Sequence, residues 1–133
     1  MSNIEKLKEL TNKLNNAVLE YETLFESEVF LVCETNKYAK FTKVSKAWTN
    51  FLGWSLEEMR EHQFSYFIHP DDVDRTMKLF DAMVHNDIHV KNFCNRYKTK
   101  DDGYVNLIWA SPGFNKKDFL IATAIICQQV FTT

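Results

Sequence analysis

Residues able to hold a metal or attack a substrate are few and scattered along this 133-residue chain. Cys33, Cys94 and Cys127 lie far apart, and an odd count without paired spacing describes neither a disulfide framework nor a zinc cluster. His85 and His89 stand four apart, with Cys94 nearby, a spacing that would put two imidazoles on one helical face for a metal. Asn86-Asp87 between them reads as a turn, however, so the pair is expected as two exposed loop histidines and no metal site is assigned. No Ser/His/Asp arrangement or carboxylate pair is identifiable from spacing, so no catalytic residue is assigned. Lys37, Lys40 and Lys43 could meet a phosphate, but they better suit an exposed strand edge that must not pair with strangers. With three glycines in all, neither a P-loop nor a dinucleotide fingerprint can be written. The chemistry left is binding.

Composition agrees. An apolar fraction of 45% and a charged fraction of 26% belong to an ordinary globular protein, and the length suits one domain. The formal charge of −2 argues against a nucleic-acid binder that works by bulk charge. No run of apolar residues is long enough to span a bilayer, and the charged N-terminus lacks the apolar core of a signal peptide. The expected address is the cytoplasm.

The elements that must position any site fall into two zones. Residues 1–28 contain no Gly or Pro, and Ile4, Leu7, Leu14, Val18, Tyr21 and Phe25 recur at 3–4 spacing, the mark of an amphipathic helix. Its apolar face needs a partner. Either it lies on its own domain, or it pairs with the same helix of a second chain, which the heptad spacing over three repeats favours. Residues 29–133 read as strands Val29–Glu34 and Tyr38–Val44, then short helices, then strands His89–Lys98, Tyr104–Ser111 and Phe119–Gln128. Ser45 is expected to cap the helix Lys46–Leu52, with Gly53 left-handed after it. Ser55-Leu56-Glu57-Glu58 is a capping box. Val73, Met77, Phe80 and Val84 align on one face of a helix over 73–85, and Gly103 supplies the positive φ of a hairpin turn. The last strand is apolar on both faces, so both must be covered.

Three stretches carry a family likeness. They are Val44 to Met59 (VSKAWTNFLGWSLEEM), His69-Pro70-Asp71-Asp72, and Asn95-Arg96-Tyr97 followed by Lys100-Asp101-Asp102-Gly103-Tyr104 and Trp109. In this order and spacing the chain resembles the PAS domain family. The resemblance implies an α+β fold: a five-stranded antiparallel sheet, order 2-1-5-4-3, with short helices on one face around a small pocket, preceded here by the N-terminal helix. The family often has Asn at the position of Ser45; both cap helices.

The resemblance also implies a sensory or dimerising module, not an enzyme, attached to or acting on a kinase, cyclase or regulator. No Cys lies between Cys33 and Cys94, which argues against a covalent flavin photosensor. The long helix has no His before its end at His85, which argues against haem, so no cofactor is assigned. By likeness to the family, Leu31 and Cys33 face the pocket from the first strand, Asn92, Cys94 and Arg96 from the third, Leu107 and Trp109 from the fourth, and Ile121, Thr123 and Ile125 from the last. Trp48, Phe51, Leu52, Met77 and Phe80 close it from the helices. Such walls suit a small ligand or an aromatic-filled core. Arg96 would hold an anionic ligand, or else reach solvent or pair with a neighbour such as Asp81 or Asp74. The expected partners are a second copy of the chain and a signalling protein, either in trans or as a downstream domain; nucleic acid and membrane are not expected. A ligand-free interaction module and a small cavity enzyme are the alternatives.

Overall fold

The computed structural model describes residues 2–86, 88–114 and 118–127. Asp87 of the expected turn, Gln128 of the expected last strand and the tail after it lie outside them. Helix α1 spans Asn3–Phe25, with Ser2 accepting the Glu5 N–H at its start. Strands β1 (Leu31–Asn36) and β2 (Phe41–Val44) follow, then a wide helical turn at Trp48–Leu52, helix α2 (Leu56–Arg60), a 3-10 turn at Phe64–Phe67 and helix α3 (Pro70–His85). Strands β3 (Val90–Lys98), β4 (Tyr104–Ser111) and β5 (Phe119–Ile126) complete one sheet in the order β2-β1-β5-β4-β3. All its pairings are antiparallel. Among the described residues no helix is long and apolar enough to cross a membrane.

Local chemistry accounts for most boundaries. The Ser55 side chain accepts from the Glu58 N–H while Glu58 accepts from the Ser55 N–H, the reciprocal box that starts α2. Gly53 takes φ 88°, and a Cβ there would press on the Lys100 side chain at 3.1 Å. At the β3–β4 hairpin the left-handed residue is Asp102, φ 70°, rather than Gly103; a short polar side chain tolerates that conformation.

Ser45 does not cap the helix after it. The turn at Trp48 has no side-chain cap, because the Ser45 hydroxyl accepts from the Val32 N–H at 2.9 Å and donates to the Phe30 carbonyl at 2.8 Å. The first strand claims the hydroxyl, since a buried backbone group without a partner costs more than an open helix end. Trp48 sits at the core centre, fully buried, with its Nε1 donating to the Val32 carbonyl at 3.1 Å and its ring against Tyr97 and Trp109.

Helix α1 folds onto its own domain only by its last turns. Tyr21 and Phe25 are partly buried, whereas Ile4, Leu7, Leu14 and Val18 are 46–68% exposed. The exposed turns of α1 therefore do not cover the outer face of β5, where Ile125 is 47% exposed.

Ser45→Ala removes both hydroxyl bonds and orphans the Val32 N–H. Denaturant unfolding is expected to show a loss of about 1–3 kcal/mol, and an unchanged midpoint would refute the role given to Ser45.

Candidate functional site

Between the sheet and the helices lies a cavity of about 80 Å³ with almost wholly apolar walls. One buried water needs roughly 10–15 Å³, so the space exceeds single-water size several-fold. Strand β1 contributes Cys33 and Thr35, β2 Phe41, β3 Val90, Phe93, Asn95 and Tyr97, β4 Trp109 and Ser111, and β5 Leu120 and Ala122. Phe64 from the 3-10 turn and Thr76, Leu79, Phe80 and Met83 from α3 close it. Small Ala122 and Ala124 point inward on β5, where larger side chains would fill the space.

Trp109, Asn95 and Thr76 hold α3 to the sheet. Trp109 Nε1 donates to Asn95 Oδ1 at 2.7 Å, Asn95 Nδ2 donates to Thr76 Oγ1 at 3.3 Å, and Thr76 Oγ1 donates to the Asp72 carbonyl at 2.7 Å. Ser111 donates to the Ile121 carbonyl at 2.7 Å. Burial pushes the Cys33 thiol up to about 12, so it stays neutral and unreactive at physiological pH.

The expected wall positions divide. Cys33, Phe80 and Trp109 line the cavity. Leu31, Trp48, Leu52 and Leu107 are buried core beside it, and Met77 packs on that core from the side. Phe51 is 47% exposed, because the wide turn carries it to the solvent side. Two strands present the opposite parity from the one expected. On β3 the inward side chains are Phe93, Asn95 and Tyr97, not Asn92, Cys94 and Arg96. Val90 does face in, so counting by twos from it gives the wrong set. The pairing register shifts between Val90 and Phe93, and Asn92 has φ 57°. A bulge adds one residue and flips every side chain after it. On β5 Leu120, Ala122 and Ala124 face in, while Ile121, Thr123 and Ile125 face out; a continuous apolar run carries no parity signal. Sequence reasoning also missed Thr76 and Met83. They share the inner face of α3 with Phe80 at i, i+4, i+7 spacing, one position round from Val73 and Met77.

Arg96 lies on the far side of the sheet edge from the cavity and meets neither Asp81 nor Asp74. Its partner is Asp72, by Nε to Oδ2 and Nη2 to Oδ1, both at 2.9 Å, while its backbone N–H donates to Oδ2 at 2.8 Å. Arg75 adds a contact at 3.3 Å. Hydrogen bonds from Arg96, outweighing burial, hold the Asp72 carboxyl far below the usual carboxylate range. With His69 Nδ1 capping α3 by accepting the Asp71 N–H at 3.1 Å, and the His69 N–H donating to the Arg96 carbonyl at 2.9 Å, the His-Pro-Asp-Asp loop is clamped to β3. Arg96 is thereby occupied and unavailable to an anion in the cavity.

A helix-walled cavity over one face of a five-stranded antiparallel sheet in this strand order is the architecture of a PAS-like fold. The PAS fold family model matches residues 41–118, and the chain belongs to the PAS family, a family of sensory and signalling modules. The solved structures it resembles include the Drosophila melanogaster Cycle PAS-B with bound ethylene glycol, with a TM-score of 0.66 and 19% identity over 73% of this chain and 99% of that one. A domain of a sensory box sensor histidine kinase/response regulator from Geobacter sulfurreducens gives 0.74 and 12% over 84% and 96%. The PAS domain of an HTR-like protein from Haloarcula marismortui gives 0.69 and 16% over 90% and 99%. Among curated proteins no relative matches.

Asp72 makes stability depend on acid. Its folded-state pKa is depressed, so its contribution is fully present above the unfolded value near 3.9 and is lost as pH falls toward the folded one. Asp72→Asn is expected to cost about 2–4 kcal/mol at pH 7, and urea unfolding should show that gap closing between pH 5 and pH 2. A gap independent of pH would contradict the assignment.

Proposed function

We propose that this chain is a PAS sensory module that binds a small molecule in the cavity and acts by pairing two copies through α1, not by catalysis. The observation that carries the reading is the stripe of Ile4, Leu7, Leu14 and Val18, exposed at heptad spacing on a helix anchored only by its last turns. A helix of 23 residues is about 35 Å long, and an apolar face of that length in water needs cover.

Strand β1 joins cavity and helix. Cys33 and Thr35 line the cavity, and Glu34 between them faces the other side. Its carboxylate accepts from the Tyr21 hydroxyl of α1, and from Thr42 Oγ1 of β2 at 2.7 Å. Burial, and then the adjacent carboxylate, raise the Tyr21 phenol above its ordinary value, so it remains a donor. Lys43 lies 4.5 Å over the Tyr21 ring. A ligand that moves Cys33 and Thr35 moves Glu34, and with it the angle at which α1 leaves the domain. Among the described residues no Asp, Glu or His lines the cavity, which favours binding over acid–base chemistry. The Cycle PAS-B structure with bound ethylene glycol supports a small-molecule occupant. The output passes to a kinase, cyclase or regulator, in trans or as a further domain, and three free cysteines suit the cytoplasm. The aromatic packing of Trp48, Tyr97 and Trp109 favours a second reading, a dimerisation module that needs no ligand.

Replacing Leu14 and Val18 together by Glu places charges in the seam. Light scattering is expected to show a dimer mass for the parent chain and a monomer mass for the variant. An unchanged mass would defeat the proposal.

A further inference from the structure

We infer that the cavity selects an uncharged, largely apolar molecule, no larger than a single small ring, through one hydrogen-bonding group that engages Thr35. This deepens the proposed function and rests on the cavity being a ligand site. Among the described residues nothing charged lines the wall, and an ion buried against them would lack a counter-charge. Asp72 and Arg96 neutralise each other outside it.

The polar side chains of the wall differ in one respect. Asn95, Thr76 and Ser111 all have protein partners. Thr35 Oγ1 is buried without one, alone in this among the side-chain atoms of the described residues. Thr35 is 3% exposed, so bulk water does not serve it. Buried hydroxyls are nearly always paired, and an orphan calls for an explanation. The position is also poised. The β1–β2 register shifts between Glu34 and Thr35, and Thr35 stands opposite Phe41 on one side and Leu120 on the other. Two apolar neighbours that also line the cavity thus flank the free hydroxyl. A hydroxyl both donates and accepts, so an alcohol, phenol, carbonyl or amide on the ligand completes it, while the remainder of the molecule meets aromatic and aliphatic walls.

Phenol and toluene match in size and differ in the hydroxyl; benzoate adds a charge. Titrations of the full chain, followed by NMR at Met83 and Ala122, are expected to show phenol and toluene binding, with benzoate at least tenfold weaker than phenol. In Thr35→Val the affinity for phenol relative to toluene is expected to fall about fivefold, the worth of one neutral hydrogen bond, and in Thr35→Ser to be retained. Thr35→Ala serves the same purpose if the valine variant does not fold. A phenol-to-toluene ratio unchanged in the variant overturns the Thr35 contact and leaves the cavity reading standing. Benzoate binding as tightly as phenol overturns the uncharged class. Failure of both neutral probes to perturb the cavity residues overturns the ligand site and this inference together.

Discussion

Glu34 occupies the middle of a strand buried on both faces, and its carboxylate is held between the Tyr21 hydroxyl of α1 and Thr42 of β2. A buried carboxylate is tolerated only when its oxygens are satisfied. That requirement ties three elements to one side chain. Removing Tyr21 from the site would strip a donor from an acid only 8% exposed, so α1 must leave the domain where it does. The inner face of β1 answers to a different demand, since Leu31, Cys33 and Thr35 must pack under Trp48 and Phe41. One strand thus serves two layers, and neither can shift alone.

The cavity exists because bulky and small side chains alternate around it. Trp48, Tyr97 and Trp109 pack with ring centroids 5.4–6.0 Å apart and fill one end of the core. Ala122 and Ala124 leave β5 thin where α3 passes. Collapse of α3 into that gap is resisted by the Trp109–Asn95–Thr76 chain and by the Asp72–Arg96 clamp at the helix start. Interiors are close-packed by default, so a void persists where polar anchors of this kind hold its walls apart.

Much of this was legible in the residues. The strand order followed from the family likeness, and two of its stretches, His69 to Asp72 and Asn95 to Tyr97, touch each other through Asp72, Arg96 and His69. The capping box and Gly53 could be read from local chemistry alone. What could not be read depended on tertiary context. Asn92 in a left-handed conformation reverses the parity of β3, and nothing in an isolated Lys-Asn-Phe announces a bulge. Ile121 to Ile126 carry no alternation to show which face is inner. The partner of Arg96 lies 24 residues earlier in sequence, beyond any local pattern. The missing partner of Thr35 is a property of packing, invisible in an ordinary Glu-Thr-Asn stretch.

If β1 couples the cavity to α1, a change on the outer face of the strand is felt on its inner face. Residue-resolved hydrogen exchange on Tyr21→Phe reads this coupling, because the substitution removes one hydroxyl on the outer face and touches nothing in the cavity. Exchange is predicted to quicken at Tyr21–Phe25 and, together with it, at the β1 amides of Cys33 and Thr35. Faster exchange at the end of α1 with Cys33 and Thr35 unchanged would contradict the coupling.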